Sequence, residues 1–397
     1  MINQPFQLPC GVKLNNRIAK AAMTERLAKS DHLPNEAHFR LYDHWASSGS
    51  GLLISGNIMV QSKYFESGGN IVLEAHTELD AFHKWTKTVT NKGVQFWAQI
   101  SHPGRQATIF NTWKPVSASN VKLKKIGLFA RPRALRSEEV DRLCEQYIQT
   151  ASQCKKAGFT GVQVHAAHGY LLSQFLSPKT NQRTDKWGGN IENRARLLIL
   201  IVRGIRTLVG PQFPISVKLN SADFQRGGFD ETDAIAVIKR LESEGIDLLE
   251  ISGGTYEQIE FLQNAEIRTS TKEREAYFLE FAKQVRKQSN IPIMVTGGFR
   301  SLAFCNQALE NNALDIIGFA RPYILQPDFP APFLKGVNVS ENPLRVKIKQ
   351  FQDLVEGAWY DYQIWRQAHG ENVDLDYSPA NAVIRLTVQE MWKGIRG

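Results

Sequence analysis

Along the chain, short apolar runs rich in β-branched residues alternate with longer stretches whose apolar positions recur every three or four residues. The short runs fall at Arg17–Ala22, Leu52–Val60, Val94–Ile100, Gly161–His165, Ile215–Leu219, Leu248–Ser252, Ile293–Thr296 and Ile316–Phe319. Runs that are apolar on both faces suit parallel strands covered on both sides. The longer stretches predict helices over Glu36–Trp45, Glu138–Ala157, Ile191–Val209, Thr232–Gly245, Glu273–Gln288 and Ser301–Asn311. Eight strands alternating with helices predict an α/β chain folded as a (β/α)8 barrel. A doubly wound open sheet is the competitor, but its GxGxxG after the first strand is missing.

The barrel pattern spans 1–342. The first sixteen residues read as a short hairpin turning at Pro9-Cys10-Gly11. Residues 102–136 form a long connection after the third strand, the kind of loop that covers a site. From 343 to 397 the pattern predicts a C-terminal helical extension. It comprises a helical stretch over Pro343–Gly370 carrying Trp359, Tyr360, Tyr362 and Trp365, then loop and one more helix. Packing on the barrel is the expected use of those aromatics, with a homo-oligomer interface as the alternative.

Composition narrows the class. No apolar run reaches the ~18 residues of a membrane span, and the N-terminus has neither the basic nor the apolar region of a secretory signal. The four cysteines are scattered, with no CxxC, so neither a disulfide framework nor a metal cluster is indicated, and a reducing cytoplasm fits. The net charge of +9 comes without a nucleic-acid motif. Its densest stretch, Lys122, Lys124, Lys125, Arg131, Arg133 and Arg136 with no acid between them, is either a solvated loop or an attractor for an anionic ligand. The second use predicts a preference for NADPH over NADH in a nicotinamide-dependent enzyme.

The most informative segment is 165–194, HAAHGYLLSQFLSPKTNQRTDKWGGNIENR. It sets His165 at the end of the fourth strand, with His168 and Tyr170 just after it, where barrels keep their chemistry. Two imidazoles can hold one oxygen, and a phenol nearby can supply a proton. An H-x-x-H pair alone is weak evidence for a metal, and no third ligand lies near in sequence. Lys218 interrupts the apolar fifth strand, where a charge is costly unless paired. Gln99 ends the third strand and Thr24 the first.

These motifs resemble the Old Yellow Enzyme family of FMN-dependent oxidoreductases, of the single-barrel type without an iron–sulfur cluster. The resemblance runs over nearly the whole chain. It includes NRIAKAAMT at 16–24, AQISHPGRQ at 98–106, VKLNSADF at 217–224, EISGG at 250–254, VTGGFR at 295–300 and GFARPYI at 318–324.

The resemblance implies a TIM barrel that binds FMN and takes electrons from NAD(P)H. It then reduces an α,β-unsaturated carbonyl compound in two half-reactions. It implies that His165 and His168 hold the substrate oxygen and that Tyr170 protonates the carbon α to the carbonyl. Gln99 and Lys218 would face the flavin pyrimidine edge, and Thr24 would donate to flavin O4. Ala22, Met23, Gly56 and Asn57 would line the ring, and Gly297, Gly298, Ala320 and Arg321 the phosphate. The chain departs from relatives at three of these positions. Lys218 replaces a common arginine, Asn57 a smaller residue and Ala320 a glycine. Arg183, Asp185 and Arg194 read as braces of the loop after the fourth strand. Quinone or nitro reduction and a non-flavin barrel lyase or hydrolase are the remaining functional alternatives. No nucleic acid or membrane partner is implied.

Overall fold

The computed structural model describes residues 1–397 except 125–126, 254–270, 340–351 and 397. Eight strands close into one parallel ring: β1 Ile18–Lys20, β2 Leu52–Met59, β3 Gln95–Ser101, β4 Gly161–Ala166, β5 Ile215–Asn220, β6 Leu248–Ser252, β7 Ile293–Thr296 and β8 Ile316–Phe319. Each pairs with its sequence neighbour, and β8 pairs with β1 to close the circle. The outer layer holds α1 Glu36–Ser47, α2 Asp80–Thr90, α3 Ser137–Lys156, α4 Ile191–Val209, α5 Glu231–Ser243, α6 Thr271–Arg286, α7 Leu302–Glu310 and α8 Gln352–Ala368. This is the (β/α)8 barrel the alternation predicts. The strand and helix ends shift by a residue or two, as ends generally do.

One helix escaped the sequence pattern. The α2 segment, DAFHKWTKTVT, carries three threonines and a valine, poor helix formers, among its eleven residues. It forms because Phe82, Trp85, Thr86 and Val89 recur on one face and are buried there. Tertiary packing outweighs propensity. The early hairpin pairs Phe6–Gln7 with Lys13–Leu14, and Gly11 in its turn has φ +88°, where glycine is favoured. Leu8 and Leu14 carry it onto the small apolar cluster inside the barrel, with Leu52, Trp97 and Ile316.

Two matching clasps lock the N-terminal face of the ring. Asp247, just before β6, accepts from the Ile215 amide at 2.8 Å and pairs with Arg206 of α4 at 2.6 Å. Asp315, just before β8, accepts from the Ile293 amide at 2.8 Å and pairs with Arg286 of α6. Each aspartate thus ties its strand to the preceding strand and to the helix that leads into it. The same device recurs two βα units later.

A further helix, α9 Pro379–Arg396, packs on α8. Trp359, expected only as part of an aromatic tail, is buried and donates to the Tyr377 carbonyl at 3.0 Å, while Tyr362 stacks on Tyr377. Helix α8 is fastened to the barrel through Gln367, which accepts from Trp45 at 3.1 Å and donates to the Ile324 carbonyl at 2.6 Å. The N-terminal part of the expected Pro343–Gly370 helix lies outside the described residues. Among the described residues, no helix is long and apolar enough to cross a membrane.

Asp247→Ala removes the acceptor of a buried strand amide and leaves Arg206 without its carboxylate. Breaking such a pair costs about 3 kcal/mol. The midpoint of urea unfolding is expected to fall accordingly, with no change in any group at the opposite face of the barrel.

Candidate active site at the C-terminal mouth of the barrel

The barrel strands are buried almost throughout, and the half-exposed positions at this end are the last residues of β6 and β7 and residues just beyond the ends of β1, β4, β7 and β8. Ala22, Met23, Thr24, His168, Ser252, Thr296, Gly297, Gly298, Ala320 and Arg321 form a half-exposed rim. Within it Gln99, Lys218, His165 and Tyr170 are almost fully buried. The structure therefore brings all the expected site residues to one mouth.

The β1 and β2 ends are built around a buried carboxylate. The register of β2 against β3 shifts between Ile54 and Asn57, a bulge at Ser55-Gly56. Glu25 accepts from the Gly56 amide at 2.8 Å and from the Tyr42 hydroxyl of α1. A Cβ at Gly56 would collide with the Met23 carbonyl and the Glu25 carboxylate. Only glycine lets these two strand ends approach. Lys20, wholly buried in β1, donates to the Ile54 carbonyl at 2.7 Å and to Tyr42 at 3.2 Å. Burial pulls its ammonium down to about 8, against the opposing pull of Glu25.

A second buried charge sits on β5. Lys218 meets Glu250 of β6 at 2.8 Å. Glu250 also accepts from Thr296 at 2.7 Å and from Gln163 at 2.9 Å, and Gln163 accepts from Gln99 at 2.7 Å. Lys218 thus has a protein partner that sequence reasoning missed. The signal was present, because Glu250 is a charge inside the otherwise apolar run LLEIS. Gln99, expected to offer its amide outward, gives one N–H to Gln163.

The imidazoles form a chain. His165 Nε2 lies 3.3 Å from His168 Nδ1, and His168 Nε2 lies 2.6 Å from Ser252 Oγ. His165 Nδ1 lies 3.0 Å from Asn57 Oδ1. The Tyr170 ring rests against His165 with centroids 4.7 Å apart. Burial is the main cause that holds His165 well below its usual range and pushes His168 down to about 3, with the Lys218 cation adding to both. Both rings are therefore neutral near pH 7: they can give hydrogen bonds but carry no charge. His168 has φ +60°, a strained conformation for a non-glycine residue. It is held there by Asn220, which accepts from its amide at 3.1 Å, and Gln106, which donates to its carbonyl at 2.9 Å.

Thr24 does not stand alone. Its hydroxyl donates to Glu66 at 3.2 Å, and Asn57 donates to the same carboxylate at 2.6 Å. Glu66 arrives on the loop after β2, a contact without a local sequence signature. The braces read from the signature segment are in place: Arg183 pairs with Asp185 and Arg194 with Asp233. In the basic loop, Arg133 and Arg136 both face Glu139 at 2.7 and 3.3 Å, which removes part of the charge available to an anionic ligand. Lys125 lies outside the described residues.

The model of the NADH:flavin oxidoreductase / NADH oxidase family matches residues 2–339. The chain belongs to this family. A curated relative, the NADH-dependent flavin oxidoreductase iliE of Hypocrea jecorina, is 31% identical over 93% of this chain and 97% of its own. An NADPH dehydrogenase of Bacillus velezensis is 28% identical over 82% of this chain and 92% of its own. Among solved structures, the Old Yellow Enzyme homologue from Zymomonas mobilis superposes with a TM-score of 0.73 at 25% identity, covering 88% of this chain and 96% of that one. This NAD(P)H:flavin oxidoreductase is thus an Old Yellow Enzyme relative in sequence and in fold, with FMN as its flavin.

The mouth suits that flavin. Gly297 and Gly298, with φ +103° and +86°, leave bare backbone at the end of β7. The half-exposed Arg321 stands at the end of β8, and a buried cation lies on β5. An anionic group at one end and an electron-rich ring edge at the other would each meet positive charge. Gly56→Ala is expected to displace the Met23 backbone and lower the FMN content of the purified protein, read from the ratio of 450 nm to 280 nm absorbance.

Proposed function

We propose that this oxidoreductase is an ene-reductase, reducing the C=C bond of α,β-unsaturated carbonyl compounds with electrons from NAD(P)H. The observation that supports it best is the neutral imidazole pair of buried His165 and half-exposed His168 beside Tyr170, at and just beyond the end of β4. FMN, when bound, would supply the hydride-carrying chemistry that links NAD(P)H to the second substrate.

In this reading Gly297, Gly298, Ala320 and Arg321 hold the phosphate. Ala22, Met23, Thr24, Gly56 and Asn57 line the ring, and Gln99 and Lys218 meet its pyrimidine edge. Lys218 would favour negative charge on the ring edge, and Glu250, 2.8 Å from its ammonium, would moderate that effect. The imidazoles hold the carbonyl oxygen and stabilise charge as it develops there. Tyr170 supplies the proton to the α-carbon. A phenol with a pKa of about 10 in water gives that proton only as carbanion character builds.

Tyr170→Phe is expected to slow oxidation by cyclohexenone and to leave reduction by NAD(P)H unchanged in stopped-flow absorbance. Equal slowing of both halves would remove Tyr170 from its role. A nitro compound or quinone needs no carbon protonation. If these remain the only acceptors turned over by the unmodified enzyme, the enone reading fails.

Lys218→Met takes away the cation and leaves Glu250 behind. The FMN midpoint potential is expected to fall by roughly 30 mV or more, about one tenfold step for a two-electron couple. An unchanged potential would place Lys218 away from the ring edge.

A further inference from the structure

The Thr24 hydroxyl, on the segment that follows β1, carries a single hydrogen. Two acceptors compete for it: the flavin edge that Thr24 is read as lining, and the carboxylate of Glu66. In the structure the carboxylate has it. Thr24 Oγ1 lies 3.2 and 3.3 Å from the two Glu66 oxygens. The same hydroxyl accepts from the Asn57 amide at 3.4 Å, and that amide donates to Glu66 at 2.6 Å. The three side chains close a triangle with Glu66 as its acceptor.

Two further observations favour the carboxylate. A charge-assisted hydrogen bond is roughly twice as strong as one to a neutral carbonyl. Glu66 is also held in place. It is buried, and the two residues that follow it are fastened to α9, where Glu390 accepts from the Ser67 hydroxyl and from the Gly68 amide at 3.2 Å. Among the described residues its side chain meets two neutral donors, Thr24 and Asn57, and no cation. Glu250, by contrast, faces Lys218 at 2.8 Å. The Glu66 charge therefore stands at the mouth without a paired cation.

We propose that Glu66 is a positioning residue that holds the Thr24 hydroxyl off the flavin and, with its own charge, lowers the midpoint potential of the bound FMN. The proposal rests on the reading that Thr24 lines the ring; the imidazoles and the choice of acceptor do not enter it. Reduction adds electron density to the ring, so a donor beside it favours reduction and an anion beside it opposes reduction. Glu66 works against reduction in both ways, by taking the donor and by adding the anion. Lys218 acts in the opposite sense from β5. The potential is thus set between two buried charges of unlike sign, and the flavin becomes harder to load from NAD(P)H and readier to give its electrons away.

The test is the midpoint potential of the FMN-loaded protein, read anaerobically from the flavin absorbance against a reference dye. No enone is present, so the result is separate from the question of which acceptor the enzyme uses. Glu66→Leu is expected to raise the potential by roughly 30 mV, a tenfold shift of a two-electron equilibrium. Glu66→Gln keeps the size of the side chain and guards against a leucine variant that loses FMN; it is expected to move the potential in the same direction.

Thr24→Val separates positioning from charge. With Glu66 present the hydroxyl is already spent, and the substitution is expected to leave the potential where it is. In the Glu66→Leu background the freed hydroxyl reaches the ring, and Thr24→Val is expected to reverse part of the rise. A Thr24→Val change that lowers the potential equally in both backgrounds keeps Thr24 at the ring and overturns the proposal alone. A potential that falls in both Glu66 variants also overturns it. A potential unmoved by every variant removes Thr24 from the ring and the proposal with it.

Discussion

The interior of this barrel is neutral only because its charges come in opposed sets. Lys20 and Lys218 project from strands where every neighbour is buried, and each would be prohibitively costly there alone. Glu25 and Glu250 answer them. Lys218 meets Glu250 directly. Lys20 reaches Glu25 through the Tyr42 hydroxyl, which both groups touch. The carboxylates do more than neutralise. Glu25 pins the bulge of β2, and Glu250 gathers Thr296 from β7 and Gln163 from β4, two strands away. The shape of the mouth follows from where these charges had to be satisfied.

Much of the scaffold could be read in the sequence, because period and burial report directly on a closed parallel ring. The runs Leu248–Ser252, Ile293–Thr296 and Ile316–Phe319 coincide with their strands at both ends. The chemistry-bearing types were also legible, since Lys218 and the His165–Tyr170 cluster break an otherwise apolar or simple pattern. Their partners were harder to see. Glu66 lies nine residues beyond Asn57 on a loop with no motif of its own. Glu250 meets Lys218 only because β5 and β6 align those two positions side by side. Helix α2 was missed for the complementary reason: its threonines argue against a helix, and only the packing of Trp85 and Phe82 decides otherwise.

The tail is tied to the rim as well as to the outer helices. Glu390 of α9 accepts from Ser67 and from the Gly68 amide, and pairs with Arg26 at 3.2 Å. Lys393 donates to the Arg26 carbonyl at 2.8 Å. The segments carrying Thr24 and Glu66 are thus both held from outside by one helix. Asp361 of α8 belongs to the same cluster; burial raises its carboxyl to about 6, with Arg26 pulling the other way. The positions that face the imidazoles are therefore set partly by residues about 360 positions away in the chain.

The paired aspartate clasps at the opposite face carry a different lesson. Asp247 and Asp315 hold strand register with groups that never approach the mouth. Structural integrity and chemistry are thus lodged at opposite poles of the same strands. A substitution at the mouth leaves the fastening intact, and one at the fastening leaves the reactive groups in place. Such a division lets one pole be remodelled for new acceptors while the other keeps the polypeptide in the same shape.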